Sequence, residues 1–184
     1  MVLITISGLP GSGTSTLVNI LSDSLNWGSV NGGQIFRELA EKNNMTLSEF
    51  GELCEKDSTV DMQLDNELQK RMLDQFGPEI VESRLAGHWA NRLGISCEKI
   101  WIEVAPEERA KRVSKREGSD WEVKFRENKA RENLDSTRFL KYYNIDLSDM
   151  SPYSLIIDST ELDPDQVLLN LMNHLDSNKK VGDE

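Results

Sequence analysis

The chain has 184 residues, of which 38% are hydrophobic, enough for one domain with its own core but too little for two substantial domains. Its formal net charge of -11 comes from 32 acidic and 21 basic side chains, and this negative excess repels a nucleic-acid backbone or an anionic membrane. We therefore expect a single domain over residues 1–184, a monomer that binds neither polynucleotide nor membrane.

The chain contains no apolar stretch near the roughly 20 residues that span a bilayer, and Met1 leads directly into a strand-like run without a basic leader segment. These features predict a cytoplasmic protein. Cys54 and Cys97 have no second cysteine or histidine at ligand spacing, so they are interpreted as reduced, packed thiols.

Short apolar runs alternate with longer stretches of helical period, which is the pattern of an α/β fold with a parallel sheet flanked by helices. Five strands are predicted, at residues 2–7, 29–31, 79–83, 100–104 and 154–158. Helices are predicted at 46–56, where Thr46 and Glu49 have capping-box spacing, at 106–116, where Pro106 lies in the first turn, and at about 165–175.

Two regions depart from the simple alternation. Residues 34–76 are helical and too long for one crossover, and residues 117–149 are densely charged with little apolar surface. We expect a mobile acceptor-binding segment in the first region and a mobile lid in the second. The polar residues 177–184 are expected to fray.

A glycine-rich turn follows the first predicted strand and precedes a helix. It reads Gly8-Leu9-Pro10-Gly11-Ser12-Gly13-Thr14-Ser15-Thr16. Glycines at this spacing let successive backbone N–H groups surround phosphates at a helix N-terminus. Ser15 stands where the P-loop hydroxyl coordinates Mg²⁺, but Thr14 stands where the motif has Lys. The turn is predicted to bind the phosphates of ATP with Mg²⁺; a purely connecting turn is the alternative.

Phosphoryl transfer between two nucleotides brings several phosphate charges together, so guanidinium groups must converge from different elements. Arg37 follows the second predicted strand and Arg84 the third, where ligands of α/β proteins bind. The later arginines lie in charged helical stretches: Arg109, Arg112, Arg116, Arg126, Arg131 and Arg138. Solvated or paired side chains are the alternative interpretation, which we favour for Arg109 and Arg126.

Stretches from most of the chain carry a resemblance to a known family. They are Ile4-Thr5-Ile6-Ser7-Gly8-Leu9-Pro10-Gly11-Ser12-Gly13-Thr14, Gly33 with Ile35-Phe36-Arg37-Glu38-Leu39-Ala40, Glu82 with Arg84-Leu85-Ala86-Gly87, Ala105-Pro106 with Glu108-Arg109-Ala110, Lys115-Arg116-Glu117-Gly118, and Tyr142-Tyr143-Asn144-Ile145-Asp146. Through them the chain resembles the archaeal-type cytidylate kinases, in the adenylate-kinase-like group of P-loop nucleoside monophosphate kinases. It departs from the family pattern at Ser83 and at residues 31–33.

The resemblance implies a P-loop nucleoside-triphosphate-hydrolase-like fold and phosphoryl transfer from ATP to CMP or dCMP with Mg²⁺, in pyrimidine nucleotide metabolism. It implies that Arg37 and Arg84 hold the acceptor phosphate and that Arg112 and Arg116 border ATP. Three residues are similar in spacing to a lid trio of bacterial cytidylate kinases: Arg131, Asp135 and Arg138. There the arginines meet phosphate and the carboxylate meets the ribose.

Arg112, Arg116, Arg131 and Arg138 are thus the expected catalytic residues, and they are also the candidates to replace the missing P-loop lysine. Asp57, Asp61 and Asp65 recur every four residues; a solvated helix face explains them, and recognition of the acceptor base by one of them is the alternative. Adenylate kinase, another small-molecule kinase such as a shikimate kinase, and a P-loop ATPase that acts as an assembly factor remain the alternative functions.

Overall fold

The structure, a computed structural model, describes residues 1–181, and it describes their side chains except at positions 47, 48, 51, 55, 61 and 178–181. Five strands of this part of the chain form one sheet: β1 Ile4–Gly8, β2 Ser29–Asn31, β3 Ile80–Glu82, β4 Glu98–Glu103 and β5 Leu155–Asp158. The helices are α1 Thr14–Leu25, α2 Gly32–Lys42, α3 Leu47–Lys56, α4 Ser58–Leu73, α5 Ala86–Arg92, α6 Pro106–Glu117, α7 Trp121–Tyr143 and α8 Pro164–Val181.

The sheet has the order β2-β3-β1-β4-β5, and all of its pairings are parallel. The five predicted strands and the α/β fold class are therefore confirmed. Because the strands are parallel, the residues that follow β1, β2, β3, β4 and β5 meet at one edge of the sheet, where ligands of such folds bind. This edge brings together the glycine-rich turn, the start of α2 and the residues after β3.

The hydrophobic core forms a layer on each face of the sheet. Alternation along β1 turns Ile4 and Ile6 towards α1 and α8, where they join Leu21 and Leu171 in one buried cluster. A second cluster, which includes Trp89, packs strand residues against α2, α4, α5 and α7. β1 and β3 are buried along their whole length and read as short apolar runs, which is why they were predictable.

The helical predictions differ from the structure mainly at helix ends. The capping box of α3 forms as predicted: the Thr46 side chain accepts from the Glu49 N–H, and Glu49 accepts from the Thr46 N–H. α8 extends beyond residue 175 to Val181, and the rest of the predicted frayed tail lies outside the described residues. Within the described chain, no helix is both long and apolar enough to cross a membrane.

Helices occupy both of the regions that interrupt the alternation. The first contains α2, α3 and α4, which an ion pair between Arg71 and Glu38 and an edge-on contact of Phe36 with Phe50 (centroids 5.1 Å apart) hold together. In the second, α6 ends at Gly118 in the left-handed region (φ 67°) and the 23-residue α7 begins shortly afterwards. The mobility of these segments stays a prediction.

Candidate active site

The glycine-rich turn is tightly folded and packs closely against α6. Gly11 and Gly13 both have φ 86°, a conformation that side-chain-bearing residues rarely adopt. A Cβ on Gly11 would lie 2.6 Å from the Arg109 carbonyl oxygen, and the Ser12 hydroxyl donates to the Leu9 carbonyl at 2.8 Å. The glycines therefore permit a closed loop whose backbone runs into the N-terminus of α1, the arrangement that binds phosphate.

Glu82, the last residue of β3, lies directly beside this loop. The hydroxyls of Thr14 and Ser15 both donate to its Oε1, at 2.6 and 2.8 Å. Glu82 is only 8% exposed, and its Oε2 is buried without a hydrogen-bond partner among the described residues. Glu82 contributes to the family resemblance but is not among the predicted site residues; its place at the C-terminal end of a strand was the available signal.

Arg84 and Asp135 form the centre of a second polar group. Arg84 Nη1 lies 2.5 Å from Asp135 Oδ2 in an ion pair, and Arg138 Nη2 lies 3.3 Å from Asp135 Oδ1. Burial lowers the pKa of Arg84 to about 10; Asp135 opposes the shift, and the positive charges of Arg131 and Arg138 add to it. Arg84 still carries its charge at neutral pH. The structure thus brings together the predicted residues of β3 and α7.

One cavity of about 1020 Å³ connects the two groups. Its lining includes the glycine-rich turn with Ser15, then Glu82, and the polar residues Arg37, Arg84, Arg116, Arg131, Asp135 and Arg138. The described residues contain no cluster of three or more His, Cys, Asp or Glu side chains that could hold a metal ion alone. A phosphate-bound Mg²⁺ needs only one or two protein ligands.

The predicted ATP-side arginines have different surroundings. Arg112 donates to the carbonyl oxygens of Ser159 (2.6 Å) and Thr160 (3.3 Å) and pairs with Glu108 at 3.0 Å, so it joins α6 to the loop after β5. The Arg116 side chain is 70% exposed. That either residue contacts ATP stays a prediction.

Two further basic residues lie near the site, one behind the glycine-rich turn and one at the cavity. Arg109 is buried, pairs with Glu132 and donates to the Pro10 carbonyl at 3.3 Å, so it supports the turn from behind. Lys124, which the sequence did not single out, lines the cavity from α7. Its ammonium lies 2.8 Å from Glu127 and 2.9 Å from Glu117, contacts that raise its pKa. Only the folding of α7 over the cavity reveals Lys124.

A glycine-rich turn between a strand and a helix of a parallel sheet, sharing one cavity with a group of arginines, is the arrangement of a P-loop kinase. The chain matches the protein family described as an AAA domain (AAA_18) over residues 4–136. A shikimate kinase from Bacteroides thetaiotaomicron has the same fold, with a TM-score of 0.60 and 15% identity, covering 95% of this chain and 98% of that one.

Two archaeal relatives match the chain over almost its whole length. The cytidylate kinase of Methanosarcina barkeri is 38% identical over 175 residues, which cover 95% of this chain and 96% of the relative. The cytidylate kinase of Archaeoglobus fulgidus is 36% identical over 181 residues, 98% of each chain. The chain therefore belongs to the archaeal cytidylate kinase family, and the predicted family is confirmed.

Proposed function

We propose that this protein transfers the γ-phosphoryl group of ATP to CMP or dCMP, giving ADP and CDP or dCDP. The observation that carries the proposal is one cavity whose lining includes both the glycine-rich turn and four arginines, Arg37, Arg84, Arg131 and Arg138. The full-length similarity to proteins named cytidylate kinase supports the choice of CMP as acceptor.

The arginines that line the cavity in addition to the glycine-rich turn favour phosphoryl transfer between two nucleotides over simple ATP hydrolysis. An enzyme that only hydrolyses ATP has one set of phosphates to neutralise, which the P-loop and a metal ion serve. Here Arg37 comes from α2, Arg84 follows β3, and Arg131 and Arg138 come from α7. Groups from three elements around one cavity suit an acceptor that carries its own phosphate.

The residues beside the turn fit a bound Mg²⁺. Ser15 offers a hydroxyl, and Glu82 offers a buried carboxylate whose Oε2 has no hydrogen-bond partner in the described chain. Buried unpaired carboxylate oxygens are costly, and a hard cation relieves that cost. When bound, Mg²⁺ supplies neutralisation of charge on the ATP phosphates.

The proposed reaction needs no general base. An oxygen of the acceptor phosphate is already an anion near neutral pH; it attacks the γ-phosphorus, the bond to the β–γ bridging oxygen breaks, and ADP leaves. Arg37 and Arg84 hold the acceptor phosphate, and Arg131 and Arg138 stabilise charge on the group in transfer. Asp135 pairs with Arg84 and Arg138, so it holds these two guanidinium groups close together before substrate binds. Its carboxylate can also accept hydrogen bonds from the ribose hydroxyls.

A coupled assay for ADP formation tests the proposal, with ATP·Mg²⁺ and each of CMP, dCMP, UMP, AMP, GMP and shikimate. We expect CMP and dCMP to be the best acceptors and UMP a weaker one. A higher kcat/KM for AMP than for CMP would establish adenylate kinase activity, preference for shikimate the small-molecule alternative, and ADP release independent of any acceptor the ATPase alternative.

The proposal also covers the enzyme's location in the cell, its oligomeric state and its partners. We propose a cytoplasmic monomer that acts in pyrimidine nucleotide metabolism. The net charge of -11 supports the absence of polynucleotide partners, since such a charge opposes binding to a phosphate backbone. Light scattering of the purified protein tests the monomer.

A further inference from the structure

The part of the cavity wall formed by α6 and the N-terminal half of α7 is charged. Its cationic lining residues are Arg116, Lys124 and Arg131, and its anionic lining residues are Glu117 and Glu127. The Lys124 side chain is 17% exposed, whereas the Arg116 side chain is 70% exposed. Of these two, Lys124 is therefore the cation that is turned into the cavity.

The helix α6 connects Lys124 to the glycine-rich turn. A Cβ on Gly11 would lie 3.0 Å from Cγ2 of Val113, so α6 contacts the turn at Val113. Glu117 follows Val113 by four residues, which places it on the same face of α6 and about 6 Å further along the helix axis. The Lys124 ammonium lies 2.9 Å from the Glu117 carboxylate. A positive charge from α7 thus lies about one helical turn beyond the contact between α6 and the phosphate-binding turn.

Three of the predicted arginines are engaged at other places in the structure. Arg112 donates to two carbonyl oxygens of the loop after β5. Burial, and then the nearby charges of Arg131 and Arg138, lower the pKa of Arg84, so both arginines lie near the residue expected to hold the acceptor phosphate. Lys124 instead pairs with the end of α6, the helix that contacts the glycine-rich turn.

We propose that Lys124 contacts the β and γ phosphates of ATP and supplies, together with the lid arginines, the charge that the lysine of the P-loop motif supplies; this inference rests on the proposed kinase function. At the motif position, Thr14 offers only a neutral hydroxyl. An ammonium group is a compact charge with three donors on a flexible stem, so it can reach phosphate from a helix other than α1. The charge then comes from the lid side of the cavity.

Glu117 and Glu127 hold the ammonium group at the cavity before ATP binds. Lys124 Nζ lies 2.8 Å from Glu127 and 2.9 Å from Glu117, and these contacts raise the pKa of Lys124. The two carboxylate side chains are 56% and 41% exposed, and ion pairs between such groups are weak. A triphosphate carries more negative charge and forms stronger charge-assisted hydrogen bonds, so it can take the ammonium group from them.

The test is Lys124→Gln, assayed with CMP at varied ATP, in the wild-type and in the Thr14→Lys background. Glutamine removes the charge and keeps much of the side-chain length. We expect kcat/KM for ATP to fall by about 10- to 150-fold, the loss of one charge-assisted contact, with KM for CMP unchanged. In the Thr14→Lys background the same change should cost about 3-fold or less, because the lysine of the turn then supplies the charge.

Two further variants separate phosphate binding from a structural role of the ion pairs. Glu127→Gln removes one partner of Lys124 and leaves the ammonium group, so KM for ATP should fall. If Lys124 acted only through its ion pairs, Glu127→Gln would lose activity as Lys124→Gln does. Lys129→Gln makes the same lysine-to-glutamine change at an exposed position of α7 and should keep the wild-type kinetics.

The outcomes separate the inference from the proposed function. A wild-type protein that phosphorylates no nucleoside monophosphate overturns the proposed function, and calorimetric titration with ATP then tests Lys124, since Lys124→Gln should bind ATP more weakly by about 10-fold or more. Wild-type kinetics in Lys124→Gln, or equal losses from this change in both backgrounds, overturn only the inference. If Thr14→Lys is itself inactive, Glu127→Gln decides: a loss as large as that of Lys124→Gln overturns the inference, and an undiminished kcat/KM for ATP supports it.

Discussion

The Thr14 hydroxyl donates a hydrogen bond of 2.6 Å to Oε1 of Glu82. The residue in the position of the P-loop lysine thus connects the start of α1 to the end of β3. Ser15 donates to the same oxygen, and the described residues include no ion pair to Glu82. A lysine at position 14 would place an ammonium group beside this carboxyl group, whereas Thr14 offers it only a neutral hydroxyl.

Glu82→Gln should weaken the dependence of activity on Mg²⁺. Glutamine retains an oxygen that can accept from Thr14 and Ser15 but loses the charge, so the fold of the loop is preserved. We expect the Mg²⁺ concentration for half-maximal rate to rise by about 10- to 100-fold, in the range seen for groups that support metal ligands. A Mg²⁺ titration of CMP phosphorylation measures it, with the exposed Glu103→Gln at the end of β4 as control. An unchanged titration would remove Glu82 from the metal site.

Arg37→Ala and Arg84→Ala should each impair the use of CMP while ATP affinity stays nearly intact. Each removes a charge-assisted phosphate contact, which costs about 1.5 to 3 kcal/mol of acceptor binding. CMP kinetics and ATP binding, measured separately, check the prediction. Equal losses for ATP and CMP would place these arginines outside the acceptor site.

The same two variants should differ in stability. Arg37 is exposed, so its loss should leave the thermal unfolding midpoint within a degree or two of the wild type. Arg84 is mostly buried against Asp135, and its removal leaves Arg138 as the ion-pair partner of that carboxylate among the described residues. We expect a destabilisation of about 1 to 3 kcal/mol, below the cost of breaking a fully buried pair. Calorimetry of both variants would show equal midpoints if the ion pair contributes nothing.

Much of this architecture was predictable because it follows from local patterns. β1 is buried on both faces and the turn carries its own glycines, so the strand and the glycine-rich turn after it needed no tertiary information. Arg84 was predictable for a similar reason, since it follows a strand directly.

Other parts depend on contacts between distant segments. Glu82 meets Thr14 across 68 residues, and Lys124 reaches the cavity only because α7 folds over it. Arg109 sits on a charged helix that suggests a surface residue, yet the fold buries it beneath Pro10. Helical spacing alone cannot distinguish a charged face in solvent from one that covers a polar site.

Arg131→Ala and Arg138→Ala should lower kcat for CMP phosphorylation by about 100- to 1000-fold, the usual effect of removing a group that stabilises transition-state charge. Both residues lie on α7 and line the cavity. Arg126→Ala, an exposed position on the same helix, is the matched control and should keep the wild-type kcat. Losses of similar size in all three variants would indicate damage to α7 rather than lost catalytic contacts.

Stability should fall in mild acid because of His88. The ring is 5% exposed and meets Tyr153 edge-on at 5.6 Å, and burial lowers its pKa below the ordinary value, against a smaller opposing effect of Asp149. The unfolded chain therefore takes up a proton near pH 6.5 that the folded protein takes up only at lower pH. Between about pH 6.5 and the lower pKa of His88 in the folded protein, each fall of one pH unit therefore lowers the free energy of unfolding by at most about 1.4 kcal/mol.

Denaturant unfolding at about pH 7.5 and about pH 5.5 measures this dependence, in the range where histidine titrates. The wild type should lose more stability between the two values than His88→Gln, which has no group to protonate. Carboxylates titrate in both proteins alike, so the difference between them isolates His88. Identical losses would show that His88 has the same pKa in the folded and the unfolded chain.

Thr14→Lys should be tolerated, with ATP affinity equal to the wild type or higher. A lysine at this position places positive charge near the β and γ phosphates, while in the native chain the lid arginines, held by α6 and α7, are expected to supply it. ATP should therefore bind weakly to the open native enzyme and well only when the lid closes, and the new lysine should lessen that dependence. Thr14→Val, which removes the bond to Glu82 without adding charge, should give no gain in ATP affinity and a stability loss of about 0.5 to 1.5 kcal/mol.

Calorimetric titration with ATP, with and without Mg²⁺, compares Thr14→Lys and Thr14→Val with the wild type. The competing idea is that Thr14 marks a degenerate nucleotide site that binds ATP but transfers nothing. A wild-type protein that binds ATP·Mg²⁺ yet phosphorylates no nucleoside monophosphate would support that idea. Loss of ATP binding in Thr14→Lys would instead show that an ammonium group pairs with Glu82 and closes the phosphate site, because Glu82 Oε1 lies within hydrogen-bond distance of the native Thr14 side chain.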